Sequence, residues 1–226
     1  MKKLLACLAL AASVSAHAQH CEPLFDGVSL DGWSALGEAA FVVEKGAIVG
    51  TAVDTQKNSF LRTDAVFADF DLRLEFRFDD GMFNSGVQFR SHVYAEETPV
   101  RVRARDGKLH DWTMEAGRVY GYQADIDPSD RAWTGEIYDE SARGWLRTFD
   151  KSPVRRAVKP DTWHHLRIRA VGNHIQTWLD GEPVADLRDD ERGDGFIALQ
   201  VHGIYEAEQL GRRMAFRALE LCTPAD

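Results

Sequence analysis

Residues 68–78 read ADFDLRLEFRF. In an extended chain Phe70, Leu72, Leu74, Phe76 and Phe78 share one face, and Asp71, Arg73, Glu75 and Arg77 share the other. A two-residue period this regular marks a half-buried strand of an antiparallel sheet.

The neighbouring segments repeat the pattern. In GVQFRSHV (86–93), Val87, Phe89 and Val93 oppose Gln88, Arg90 and His92. WHHLRIRAV (163–171) groups Leu166, Ile168 and Ala170. HIQTWLDGEPVADL (174–187) reads as two strands turning at Asp180-Gly181, and FVVEKGAIVG (41–50) as two turning at Lys45-Gly46; both dipeptides are tight-hairpin signals. No long stretch carries a 3.6-residue period. The expected fold is all-β, an antiparallel two-sheet sandwich or jelly roll. Residues 94–119, charged and carrying Pro99 and Gly107, read as a long excursion from the sheets. Long loops in compact domains are often functional.

Composition fits one such domain. The chain has 226 residues, 44% of them hydrophobic, enough for one well-filled core. Residues 1–18 stand apart. Lys2 and Lys3 precede an apolar run from Leu4 to Val14, and Ala16-His17-Ala18 fits a small-x-small cleavage site before Gln19. This is the plan of a bacterial secretory signal peptide, and the run is too short to span a membrane. The expected protein is periplasmic or secreted, with residues 19–226 forming a single domain. Without the leader, 25 basic residues face 36 acidic ones, a net charge of −11. Nucleic acid and anionic lipid both require basic patches, so neither is an expected partner; neutral sugars and small molecules remain. Cys21 and Cys222 close the two ends of the mature chain. In an oxidising compartment, a sandwich that joins its terminal strands would allow them to form a disulfide. With no histidine pattern beside them, they are no zinc site.

Four stretches place specific polar groups on one strand face. They are Gln88, Arg90 and His92; Gln123, Asp125 and Asp127 in YGYQADID (120–127); Glu136 and Tyr138 in TGEIYD (134–139); and Gln200 and His202 in GFIALQVH (195–202). Each alone is what the wet side of a strand carries. Two aspartates at i and i+2, however, repel each other on one face. Gathered on one concave sheet, these groups would set an arginine, paired carboxylates, an imidazole and amides around a hollow suited to carbohydrate. Of the six tryptophans, Trp33, Trp133 and Trp145 lie in Gly- or Asp-rich stretches as sugar platforms. Trp112, Trp163 and Trp178 read as core or hairpin packing.

LFDGVSLDGW (24–33), NSGVQFR (84–90), GYQADIDPS (121–129), TGEIYDE (134–140), WLDG (178–181) and GFIALQVH (195–202) occur in this order. The ordered set resembles the 3-keto-disaccharide hydrolase domain family over residues 22–221. The resemblance implies a concanavalin-like jelly roll that cleaves glycosides whose sugar bears a ketone at carbon 3. It implies a pocket in which Arg90, Asp125, Asp127 and His202 do chemistry. Gln200 would contact the sugar there, and the strand faces and aromatic residues add Asn84, Gln88, Gln123, Trp133, Glu136, Tyr138 and Trp145 as expected sugar contacts. The sequence departs from the family pattern at Asp125, where Glu is usual, and at Glu136, where Gly is usual.

A 3-keto group acidifies the carbon-2 hydrogen, so cleavage can run by proton abstraction, elimination of the carbon-1 substituent and hydration. The base would be His202 or a carboxylate raised by a like-charged neighbour. Arg90 would stabilise the enolate, or a divalent ion held by Asp125 and Asp127 would, although nothing else calls for a cofactor. Two other readings stay open. Asp125, Asp127 and Asp130 are similar to the acidic triad of laminarinase-like retaining glycosidases, and the same face would serve a sugar-binding module without chemistry.

Overall fold

The computed structural model describes residues 20–81, 84–104, 106–129, 131–146 and 158–224. The signal-peptide reading and Asp130 therefore fall outside the described residues. Seventeen strands run in chain order. The first nine are β1 (Cys21–Pro23), β2 (Trp33–Leu36), β3 (Ala40–Glu44), β4 (Ala47–Thr51), β5 (Ser59–Thr63), β6 (Phe70–Phe78), β7 (Ser85–Val93), β8 (Thr98–Arg103) and β9 (Leu109–Met114). The rest are β10 (Val119–Ile126), β11 (Ile137–Glu140), β12 (Gly144–Trp145), β13 (His164–Val171), β14 (His174–Leu179), β15 (Glu182–Arg188), β16 (Phe196–Val201) and β17 (Arg213–Cys222). Among the described residues the one helix is a single 3-10 turn, Ala207–Gln209, and no helix is long and apolar enough to cross a membrane.

The strands form two sheets. One runs β15-β14-β13-β6-β17-β4-β3, with β1 added beside β17; the other runs β2-β5-β16-β7-β10-β11-β12-β8-β9. Phe70, Leu72, Leu74, Phe76 and Phe78 are all buried between them, with Val87, Phe89, Ile197 and Leu199 from the opposite sheet. The all-β sandwich is thus the observed fold. Both hairpins turn where expected, with Lys45, Gly46, Asp180 and Gly181 all at positive φ, the backbone a two-residue turn requires.

The structure corrects the sequence reading at two points of architecture. Residues 94–119 are no loop: β8 and β9 pair into a hairpin that extends the second sheet. Leu109–Met114 is exposed at every position but the last, so it carries no alternation to betray a strand. The second sheet is also not purely antiparallel, because β12 meets β8 in parallel through Gly144 and Arg103.

The terminal strands do meet. Cys21 lies opposite Cys222 in the β1–β17 pairing, and the two are joined as a disulfide.

Candidate functional site

The second sheet builds the site through its register. One row across neighbouring strands is Ala198, Gln88, Gln123, Tyr138 and Trp145. One step along, Asp125 pairs with Gly86. Leu199 faces Val87, which sets Gln200 beside Gly86 on the other side. Ala124 faces Ile137, which sets Glu136 beside Asp125. The sheet also curls steeply. Asn58, just before β5, donates from Nδ2 to Oε1 of Glu140 on β11 at 3.2 Å, though three strands separate β5 from β11 in the sheet. The concave face becomes a cavity of about 650 Å³, walled on its far side by the β8–β9 hairpin. That volume suits a small-molecule ligand.

Asp125 is a carboxylate in this cavity wall, and it is almost fully buried. A chain of amides leads to it. Ser91 Oγ donates to Gln88 Oε1 at 2.8 Å, and Gln88 Nε2 donates to Gln123 Oε1 at 2.8 Å. Gln123 Nε2 then donates to Asp125 Oδ1 at 3.1 Å, where Asn84 Nδ2 also donates at 3.2 Å. Gly86 makes room for this chain, since a Cβ there would stand 2.4 Å from the Gln123 amide carbon. Burial, followed by repulsion from Asp127, pushes the Asp125 carboxyl up to about 7, against the pull of the Asn84 and Gln123 donors. Removal from water disfavours the charged form, and a nearby like charge adds to the effect.

Asp127 does not share that role. It is fully buried but does not line the cavity. Its Oδ1 accepts from the Ser129 backbone N–H and hydroxyl, and its Oδ2 pairs with Arg131 Nε at 2.9 Å. Among the described residues no group of three or more His, Cys, Asp or Glu is placed to hold a metal ion.

Arg90 is the clearest correction. Its backbone is left-handed, with φ of 46°. The β7–β10 register slips there: Phe89 faces Tyr122 and His92 faces Tyr120, so two β7 residues oppose Gly121 alone. This β-bulge adds one residue to the count and reverses the alternation after it. Gln88 and Ser91 consequently share the cavity face, and Arg90 turns to the opposite side. There it is buried and donates to the carbonyls of Ala68, Gly172 and Arg192 and to Asp69. It clamps these groups and does not line the cavity where the enolate stabiliser was expected.

The remaining expected residues divide. Asn84, Gln123, Tyr138, Trp145, Gln200 and His202 line the cavity; Gln88, Trp133 and Glu136 do not. Gln88 is a buried link in the amide chain. Trp133 packs edge-on against Trp145 at 4.9 Å, beneath the Arg131 guanidinium. Glu136 is buried beside Asp125, and its main-chain oxygen accepts the Asp125 N–H at 2.9 Å. Trp33 belongs to the core. His202 Nδ1 lies 2.6 Å from the Gly203 carbonyl. A carbonyl only accepts, so Nδ1 carries the proton in this contact.

Of the lining residues that were not anticipated, three stand out. Glu140 is a second nearly buried carboxylate, raised by burial and held by Asn58 and Ser141 near Arg118. The alternation Glu136, Tyr138, Glu140 would have found it one step further on. Trp112 and Tyr205, 60% and 59% exposed, stand at the rim. Neither sits in a patterned stretch.

Solved structures share the fold. Two from Parabacteroides distasonis, each provisionally assigned as a glycosyl hydrolase, match with TM-scores of 0.58 and 0.56 at 15% and 19% identity. These alignments cover 89% and 91% of this chain and 92% and 100% of theirs. A winged bean acidic lectin in complex with methyl-α-D-galactose matches with a TM-score of 0.52 at 8% identity, covering 91% of this chain and 98% of its own. No curated protein matches the sequence. The model of the 3-keto-alpha-glucoside-1,2-lyase-like domain matches residues 20–222, nearly every described position, and the chain belongs to that family.

Proposed function

We propose that this protein cleaves the glycosidic bond of 3-keto-glycosides by proton abstraction, elimination and hydration, in an oxidising compartment outside the cytoplasm. The observation that carries this reading is Asp125, a carboxyl pushed up to about 7 in the wall of a sugar-sized cavity. A base is most effective when its pKa lies near the working pH. A carboxyl raised toward the working pH is a stronger base toward a carbon acid than one at its ordinary value.

In this scheme Asp125 takes the hydrogen from carbon 2, and the electron pair moves onto the ketone oxygen. Collapse of the enolate breaks the bond from carbon 1 to the leaving oxygen, which receives a proton from Nε2 of the His202 imidazolium. Water then adds at carbon 1 and returns a proton to His202. Protonated Asp125 restores the hydrogen on carbon 2, releasing the 3-keto sugar. Trp112 and Tyr205 at the rim would seat the leaving group.

A retaining glycosidase is less well supported. It needs two cooperating carboxyl groups at the scissile bond, and Asp127, the expected partner of Asp125, is occupied by Ser129 and Arg131. Incubating the protein with a 3-keto-glucoside and with its unoxidised parent in deuterated water tests the proposal. Cleavage of the ketone alone, with deuterium at carbon 2 of the product, is expected. Cleavage of the parent, or the absence of both solvent deuterium at carbon 2 and a primary isotope effect with substrate deuterated at carbon 2, would overturn it.

A further inference from the structure

Gln200 is fully buried, and neither atom of its side-chain amide has a partner among the described residues. Interiors seldom leave both ends of an amide unpaired, because each lost partner costs stability. The side chain does not face the core: Ile197 and Leu199 do, and Gln200 lines the cavity. Its neighbour on one side is Phe60, paired with it across β5, which offers no hydrogen bond. On the other side is Gly86, with no side chain at all, and beyond Gly86 stands Asp125. Two strand spacings put the Gln200 and Asp125 backbones about 10 Å apart, with the Gln123 side chain packed over Gly86 between them, and both residues line the same cavity.

An amide needs an acceptor for its N–H and, beside it, a donor for its oxygen. A ketone flanked by a hydroxyl supplies that pair. We infer that Gln200 grips the α-hydroxy-ketone edge of the substrate, Nε2 donating to the ketone oxygen and Oε1 accepting from the adjacent hydroxyl. As the carbon-2 hydrogen leaves for Asp125, negative charge grows on the oxygen that Nε2 already faces. A donor aimed in advance at developing charge is the most effective kind. Gln200 thereby takes the role that the sequence pattern gave to Arg90. The inference rests on the 3-keto reading of the cavity.

Two variants test it against the wild-type protein, with 4-nitrophenyl 3-keto-glucoside as substrate and methyl 3-keto-glucoside as the titrant for binding. Gln200→Glu keeps the shape and replaces the donor, so kcat should fall about 10²–10³-fold. Gln200→Leu should lose turnover to the same extent and bind the titrant at least about tenfold more weakly. It should also melt about 2–4 °C or more above wild type, because an unsatisfied buried amide has been removed. A structural glutamine would show the opposite shift in melting. Turnover or binding within about threefold of wild type in Gln200→Leu, or a melting point clearly below wild type, would overturn the inference. If the wild type binds methyl 3-keto-glucoside without cleaving the aryl glycoside, and Gln200→Leu fails to bind, the elimination reading falls and the role of Gln200 stands.

Discussion

Arg131 Nε sits 2.9 Å from Oδ2 of Asp127, and this pairing divides the labour between two aspartates that are only two residues apart. Asp127 is paired with a cation and tied into its turn, while Asp125 faces the cavity and feels Arg131 more weakly than burial and the Asp127 charge. Replacing Asp127 by Asn removes the negative charge that helps hold Asp125 up. The acidic limb of the kcat/KM–pH profile should then move to lower pH. The variant should also lose about 1–3 kcal/mol of stability, since Arg131 is left without its ion partner. Denaturant titration and a pH–rate profile read the two effects separately, and an unmoved limb would detach Asp127 from Asp125.

Asp125→Asn should lower kcat about 10²–10⁴-fold, the usual contribution of a positioned proton-transfer group. Its effect on stability should depend on pH. A carboxyl raised from 3.8 to about 7 binds more protons in the folded than in the unfolded protein across that window. Its contribution is therefore fully present below about pH 4 and is lost as pH rises through 7, up to about 4 kcal/mol. Asn never ionises. Urea midpoints should show the variant gaining on wild type between pH 5 and pH 8; a constant difference would place the Asp125 pKa at an ordinary value.

Arg90 carries the opposite prediction. Its guanidinium donates to three backbone carbonyls and to the Asp69 carboxylate. Arg90→Met should cost about 3–5 kcal/mol, the range for breaking a buried charged cluster. Arg90→Lys should recover little, because a single ammonium cannot reach four acceptors set for a planar fork. Both variants, assayed at low temperature where they remain folded, should keep kcat within about threefold of wild type.

The Arg90 case also marks where the sequence stops being legible. Alternation located β6, β7, β13, both hairpins and the faces of Asp125, Tyr138 and Gln200, because on those strands one face is buried and period two follows. It failed at Arg90, since a bulge changes the count by one residue, and the left-handed backbone behind it leaves no mark in an FRS tripeptide. It failed at β8–β9 because a strand exposed on nearly all sides need not alternate. Trp112 was misplaced for the same reason: its position depends on how the sheet curls. Glu140 was legible, because it follows Glu136 and Tyr138 at the same two-residue spacing.

The disulfide should matter for stability and leave catalysis alone. Cys21 and Cys222 join β1 to β17, both in the sheet that does not form the cavity. The bridge closes nearly the whole chain, separating residues 201 apart, so it strongly limits the freedom of the unfolded state. Reduction, or Cys21→Ser with Cys222→Ser, should cost about 2–5 kcal/mol. The melting point should fall accordingly, with kcat/KM unchanged at 25 °C.

Trp112 tests how the cavity holds its leaving group. The side chain is 60% exposed on the β8–β9 hairpin, yet it lines the cavity together with Tyr205. Exposed indole rings cost stability nothing to remove, and they account for much of the binding where they contact a partner. Trp112→Ala should therefore leave the melting point unchanged and raise KM about tenfold, a loss of about 1.4 kcal/mol of binding. If Trp112 seats only the leaving group, kcat should hold. The increase in KM should also be larger for a bulky leaving group than for methoxide, because a methyl group does not reach the rim. An equal change for both substrates would mean that Trp112 contacts the ketone-bearing ring itself, and the orientation of substrate in the cavity would have to be reversed.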